Sequence, residues 1–394
     1  MIIINISRKN NSKSLISILI IMILLFFGYW IFTKVQSQHQ DNNIIIDESV
    51  SENIKNFVNH EINNNKVLLV EFNTYHHECM PGFAKYYTEL GYDVDILILK
   101  DFTNSFDYFE PKNKINIFEI ESKEQFENYA RLLSKKIKKY KHIFANTLYG
   151  SELEKNLGLL DLSQIIYVMH DTDLIKNNNN LKRIESEDKL VYLANIVENR
   201  QVNPHYFGDF NVKHKNSRTN FMVIGNMNPA YRNYDLLMNS IRELKNKNKD
   251  FVVTVIGYNT DINMIPEDIR DKFDIKGYLN YREMYDEVIK SDFILMLLDS
   301  NIEAHLKYKT IKSSGNVQLS YGFNTPVIIS NDFAEFYKFD KNNSIIYENN
   351  NLLESLERAI NCSDSDYINL QNNLKITAKN IFNNSLNNLK NLIK

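Results

Sequence analysis

Lys66–Leu99 reads KVLLVEFNTYHHECMPGFAKYYTELGYDVDILIL. An apolar run at Lys66–Phe72 gives way to a polar loop, then to an amphipathic stretch at Gly82–Leu90 and a second apolar run at Val94–Leu99. Unbroken Val, Ile and Leu runs of strand length, separated by a helical pattern, predict parallel strands covered on both faces. The alternation continues outward. Ile115–Ile120, His142–Asn146, Ile165–Met169 and Lys189–Ala194 extend the first series, with a helix expected over Lys123–Lys139. A polar break at Asn211–Thr219 precedes a second series at Asn220–Ile224, Phe251–Ile256, Phe273–Gly277, Phe293–Leu298, Pro326–Ile329 and Ser344–Tyr347. Helices are predicted between these at Asp235–Asn246, Tyr281–Lys290, Asn316–Phe323 and Leu352–Ile360. The two series predict an α/β protein of two doubly wound, Rossmann-like domains, 66–210 and 219–366, followed by a C-terminal helix at 367–394.

Ahead of this body, Leu15–Thr33 reads LISILIIMILLFFGYWIFT and carries no charge. About 19 residues at roughly 1.5 Å each make a helix of about 28 Å, enough to span a hydrocarbon core. Tyr29 and Trp30 suit the lipid–water boundary. Bulky Phe32 and the following Lys34-Val35-Gln36 argue for a retained transmembrane helix over a cleaved signal peptide. Arg8, Lys9 and Lys13 precede the span and only Lys34 follows it closely, which predicts a single-pass protein with a cytoplasmic N-terminus. Residues 1–14 then form a tail and 34–65 a polar stalk.

A net charge of −3 over 394 residues leaves no electrostatic footprint for nucleic acid. The basic run at Lys135–Lys141 reads as a solvated helix end that complements the helix dipole. With Cys79 and Cys362 alone, no disulfide framework is expected. The runs Asn177–Asn180 and Asn349–Asn351 are expected in loops.

In doubly wound sheets, chemistry gathers beyond the carboxyl ends of the strands. The first such end carries His76, His77 and Glu78, then Pro81 and Gly82 at a helix start. Either His77 or Glu78 is suited to take a proton from a hydroxyl. Gly82 is expected to let a substrate approach the backbone, with His76 and His170 on the same acceptor side. A metal held by His76, His77, Glu78 and Cys79 is disfavoured, because consecutive ligands do not readily face one ion. Val202–Gly208 reads as a hinge-side turn. In the second series, Ile224-Gly225 ends a strand and Arg232 precedes a helix, where a cation is unfavourable unless an anion is bound. From Tyr308 a polar loop that contains Gly315 enters the short helix expected at Asn316–Phe323. Lys309, Thr310, Ser313, Ser314, Gly315, Asn316 and Gln318 would cradle a diphosphate there.

From Ser313 through Pro326-Val327-Ile328 the chain resembles the donor-binding helix of GT-B glycosyltransferases. The Lys66–Leu99 unit is similar to the opening β–α–β of that family, and Gly277-Tyr278-Leu279-Asn280-Tyr281-Arg282-Glu283-Met284 resembles its turn before a helix. The resemblance runs from about Lys66 to Ile360 and implies a Leloir, nucleotide-sugar-dependent enzyme working without metal or cofactor. It implies phosphate contacts at Arg232 and the helix start, and a glycan, lipid-linked or protein-linked acceptor at the His77 and Glu78 loop. Where retaining members carry a Glu-x7-Glu pair, this chain has Ser314, Gln318 and Leu319. Two alternatives are a catalytically inactive protein of the same fold, binding a sugar nucleotide or serving as a scaffold for another protein, and a metal-dependent GT-A transferase. The second would use one of the pairs Asp93/Asp95, Asp171/Asp173 or Asp364/Asp366.

Overall fold

The computed structural model describes residues 50–147, 164–177, 179–193, 198–348 and 350–393. The predicted anchor at 15–33 and the stalk up to residue 49 lie outside the described residues. Among the described residues, no helix is long and apolar enough to cross a membrane. The chain divides into two units, 1–55 and 56–394. Of the first, only residues 50–55 are described, and they include the start of a helix at Glu52–Asn59.

The second unit holds two parallel six-stranded sheets. The first contains β1 (Lys66–Glu71), β2 (Asp93–Leu99), β3 (Ile115–Ile120), β4 (Ile143–Ala145), β5 (Ile165–Met169) and β6 (Leu190–Tyr192), in the order β3-β2-β1-β4-β5-β6. The second contains β7 (Thr219–Ile224), β8 (Phe251–Ile256), β9 (Phe273–Gly277), β10 (Phe293–Leu295), β11 (Val327–Ser330) and β12 (Ile345–Tyr347), ordered β12-β11-β10-β7-β8-β9. Each sheet therefore reads third-second-first-fourth-fifth-sixth, the doubly wound Rossmann order. Winding reverses between β1 and β4 in one sheet and between β7 and β10 in the other, which marks where ligands bind.

Burial explains why the strands read as apolar runs: from Val67 to Val70 and from Ile96 to Leu99 every side chain is buried. The exception is instructive. Asp95 sits buried in β2, and its carboxylate accepts from Tyr140 Oη at 2.7 Å and Asn116 Nδ2 at 2.8 Å, with Lys66 Nζ at 3.5 Å. A buried carboxylate is tolerated because these partners replace water.

A 29-residue helix, Asp364–Leu392, crosses both domains and is about 43 Å long at 1.5 Å per residue. Tyr367, Leu374 and Ala378 pack in the cores of the second sheet, whereas Leu389 is buried in that of the first, flanked by Phe382 and Leu386. The Val202–Gly208 turn runs beside it. The Asn203 N–H donates to Ser385 Oγ at 3.0 Å, and His205 is buried with Nε2 3.0 Å from the Ala378 carbonyl.

Several expectations are corrected. The helix over Lys123–Lys139 is two helices, Lys123–Asn128 and Ala130–Ile137, because Tyr129 leaves helical geometry at ψ 15°. Lys136 is not solvated; it is buried and donates to the His60 carbonyl. The strand at Phe293–Leu298 stops at Leu295, since Leu297 takes φ +49°. Asn179 opens a helix at Asn179–Ser186, and Asn351 caps Leu352–Asn361 through the Glu354 N–H. The C-terminal helix starts at Asp364, capped by Ser363.

Candidate active site

Loops at the carboxyl ends of the two sheets meet. Tyr281 Oη donates to Glu78 Oε2 at 2.9 Å, and the Thr172 N–H to the Ile311 carbonyl at 3.3 Å. On the first-sheet side, the chain leaves β1 through Asn73–Tyr75 into a short turn, His77–Cys79, and the helix Met80–Glu89 with Pro81 in its first turn. His76 takes φ +69°, a left-handed conformation that disfavours a residue with a Cβ by about 1–2 kcal/mol. Besides the Cys79 N–H, which donates to its carbonyl at 3.1 Å, contacts from neighbouring elements hold it. Its carbonyl accepts from Asn146 Nδ2 at 2.8 Å, its ring stacks on His170 at 4.1 Å, and its Nδ1 lies 3.6 Å from Glu78 Oε1. His170 is buried at the tip of β5, with Nε2 2.9 Å from the Asn146 carbonyl. Burial, assisted by His76, keeps the His170 imidazole well below its ordinary pKa.

The two candidate proton acceptors differ sharply. His77 is fully buried, lies flat on Phe102 at 4.0 Å, and neither ring nitrogen has a hydrogen-bond partner. Burial lowers its pKa to about 3, so it is neutral. Glu78 is partly open. Burial alone would raise its carboxyl, but the hydrogen bond and charge of His76, with the hydrogen bond from Tyr281, bring it below the ordinary value. It is therefore ionised and able to accept. Gly82 does not expose backbone to a substrate: a Cβ there would lie 2.5 Å from the Pro204 main chain, so its missing side chain serves packing.

Beneath this loop lies Glu71, which the sequence reading passed over as part of a strand. It is fully buried. Its Oε1 accepts from the Asn73 N–H at 2.8 Å, and its Oε2 from Asn146 Nδ2 at 2.7 Å and from the Thr147 hydroxyl. Burial pushes its pKa up to about 8 against these hydrogen bonds. A carboxylate inside an otherwise apolar run was the available signal.

On the second-sheet side, β7 is followed by Gly225, whose φ of +125° suits glycine alone. A Cβ built there would be 3.7 Å from Arg232 Nη2, so the two residues are neighbours as expected. Arg232 is buried; Nη1 donates to the Tyr231 carbonyl at 2.6 Å and Nη2 to that of Ile224 at 3.3 Å, while Nε has no partner. The helix Gly315–Phe323 begins nearby. Ser314 is its N-cap residue but makes no side-chain cap bond, and Ser314 Oγ, Asn316 Nδ2 and Gln318 Oε1 are buried without partners. Gln318 Nε2 reaches Ser313 Oγ at 3.4 Å, and Gly315 is exposed, with open space where a Cβ would be. Tyr337 is buried behind the loop that enters this helix, and its hydroxyl donates to the Tyr308 carbonyl at 2.6 Å. Buried polar atoms without partners are uncommon, so their concentration here suits a bound polar ligand.

Lys309 and Thr310 lie elsewhere than expected. They end a helix, Glu303–Thr310, where a loop was predicted. Lys309 Nζ stands over the Phe333 ring at 4.6 Å, and the Thr310 hydroxyl turns back to the Leu306 carbonyl at 3.4 Å. Lys312 is the lysine beside the Arg232 loop, 5.9 Å from the Tyr231 ring. That same helix contributes His305, unforeseen from sequence. Its Nδ1 accepts from the Asp299 N–H at 3.0 Å and its Nε2 faces the Pro229 carbonyl at 3.1 Å, which fixes the loop leading to Arg232.

The Asp-x-Asp pairs do structural duty. Asp95 is buried in its strand, Asp173 pairs with Lys176 at 2.7 Å, and Asp364 pairs with His214 at 2.5 Å. Among the described residues, no group of three or more His, Cys, Asp or Glu is placed to hold a metal ion.

No protein-family model matches the chain, and no curated protein matches it in sequence. Solved structures match in fold. An alpha-glucosyltransferase in complex with UDP and DNA superposes with a TM-score of 0.52 at 12% identity, covering 78% of this chain and 94% of that one. The HepE protein of Anabaena, in complex with UDP-glucose, gives a TM-score of 0.50 at 12% identity, covering 82% and 97%. The likeness is one of fold and is consistent with two Rossmann-like domains in the GT-B arrangement.

Proposed function

We propose that the chain is a glycosyltransferase that moves a sugar from a nucleotide-sugar donor to a hydroxyl of a glycan, lipid-linked or protein-linked acceptor. The observation that carries this reading is the set of buried, unpartnered polar atoms at Arg232, Ser314, Asn316 and Gln318 on the second-sheet side, together with an ionised Glu78 on the first-sheet side. The diphosphate takes hydrogen bonds from Arg232 and the free N–H groups at the start of Gly315–Phe323. The acceptor oxygen bonds to the anomeric carbon as the bond to the diphosphate breaks. The electron pair leaves on the phosphate oxygen, where fixed donors stabilise it, and the acceptor proton passes to Glu78. His76 and His170 form the acceptor-side wall, and His77 supports the loop from below. The fold likeness to UDP-bound and UDP-glucose-bound proteins makes UDP-glucose the first donor to try.

The span Leu15–Thr33 holds this body at a membrane as a single-pass anchor with a cytoplasmic N-terminus, an arrangement suited to a lipid-linked acceptor. The test uses the purified full chain with a panel of nucleotide sugars led by UDP-glucose, monitoring UDP release, and calorimetry with UDP. Binding and turnover that persist in EDTA support the reading. If no nucleotide sugar is bound or consumed, the enzymatic assignment fails and the scaffold alternative stands.

A further inference from the structure

The acceptor-side loop contains a strained residue whose support comes from below. His76 holds φ +69°, and its carbonyl accepts from Asn146 Nδ2 at 2.8 Å as well as from the Cys79 N–H of its own turn at 3.1 Å. Asn146 follows β4 and Glu71 ends β1, so the two meet at the reversal point of the first sheet. The same Asn146 nitrogen donates to Glu71 Oε2 at 2.7 Å, while Glu71 also takes the Thr147 hydroxyl and the Asn73 N–H. Asn73 Nδ2 closes the ring by donating to Thr147 Oγ1 at 3.1 Å. The Asn146 carbonyl faces His170 Nε2 at 2.9 Å, and His170 stacks on His76. The first sheet grips His76 through Asn146, which follows β4, and through His170, which follows β5 and itself faces the Asn146 carbonyl, and the carboxyl of Glu71 orients the Asn146 amide.

Glu71 itself is fully buried, and the partners that its carboxyl holds are the neutral groups of Asn73, Asn146 and Thr147. A carboxyl group so placed would be replaced by an apolar side chain at little loss if it served packing alone, since burying it is unfavourable. We propose that Glu71 is a positioning residue: through Asn146 it locks His76 in its left-handed conformation and so sets Glu78 against the acceptor hydroxyl. Its effect on turnover rests on the glycosyltransferase reading, whereas its hold on the loop does not.

Two readouts separate these. In the full chain, Glu71→Ala and Asn146→Ala are compared with wild type by amide hydrogen exchange over residues 73–79 and by steady-state hydrolysis of UDP-glucose. Each substitution is expected to speed exchange across the loop by about tenfold or more while leaving β7–β12 unchanged. Each should also lower kcat by about 10–100-fold at an unaltered donor KM, because a misplaced acceptor group weakens the chemical step and not donor binding. The double variant should be no worse than either single one, as expected of residues acting in series. Unchanged loop exchange in folded Glu71→Ala, or additive losses in the double variant, would overturn the proposal. Should Glu71→Ala fail to fold, Asn146→Ala decides by the same exchange criterion. If wild type consumes no UDP-glucose or other nucleotide sugar, the enzymatic reading falls and the exchange result still judges the Glu71 lock.

Discussion

Tyr281 and Glu78 share a hydrogen bond of 2.9 Å, with a phenol from the second domain donating to a carboxylate of the first. A hydroxyl group thus already occupies the position that an acceptor hydroxyl would take at Glu78. The phenol also helps to keep Glu78 ionised. Replacing it by Tyr281→Phe removes one group that stabilises the carboxylate, so the Glu78 pKa rises. Glu78 must be unprotonated to act, so the acid limb of kcat/KM moves to higher pH. A pH–rate profile with UDP-glucose and acceptor checks this, and an unmoved limb would remove Glu78 from the role of base.

Glu78→Gln keeps the shape of the loop but cannot take the proton. It is expected to lower kcat by about 10²–10⁴-fold while UDP binding, measured by calorimetry, stays unchanged. His77→Phe, by contrast, should retain most activity, since the imidazole is buried, neutral and unpartnered.

Arg232→Ala should weaken UDP binding by about 10–100-fold, the range for losing a charge-assisted hydrogen bond to phosphate. Its guanidinium also ties the Tyr231 and Ile224 carbonyls, so thermal denaturation of the variant must accompany the titration. Equal affinity in a folded variant would place the phosphate site elsewhere.

Glu71 gives the stability a pH dependence whose sign can be worked out. Its folded pKa of about 8 lies above its ordinary value of 4.5. Below 4.5 the carboxyl is protonated in both states. Between the two values the unfolded chain releases the proton that the folded chain keeps, so stability falls as pH rises through this window. Glu71→Gln cannot ionise. Denaturant midpoints at about pH 5 and about pH 8 should therefore fall further for wild type than for this variant.

Two glycines make a paired test of packing against binding. Gly82→Ala drives a Cβ to within 2.5 Å of the Pro204 backbone and is expected to destabilise the fold by about 1–3 kcal/mol. Gly315→Ala meets open space, so its thermal midpoint should hold while UDP affinity falls. Reversed outcomes would exchange the roles assigned to these helix starts.

The architecture was legible because buried parallel strands leave little place for polar residues: Ile165–Met169 and Phe251–Ile256 are found with the predicted bounds. Gly225 beside Arg232 could be anticipated, since a left-handed glycine at a strand end and an arginine before a helix are local signals. What escaped was non-local. Glu71 lies 75 residues before Asn146 and its neighbour Thr147, and they become a cluster only when β1 and β4 pair. Lys309 carried the right charge, but Glu303–Thr310 folded as a helix and turned it toward Phe333. Gly82 looked like a gap for substrate, and only the path of the linker shows that Pro204 fills it.

The helix Asp364–Leu392 sets a schedule for the chain as it is made. Strands β1–β6 leave the ribosome early, yet their core includes Leu389, some two hundred residues beyond β6. The first domain therefore waits for the second before its last apolar face is covered, and contacts of such separation form slowly. A fragment ending near residue 210 would expose the groove meant for Leu389 to other chains, whereas the two domains made together seal it with one helix.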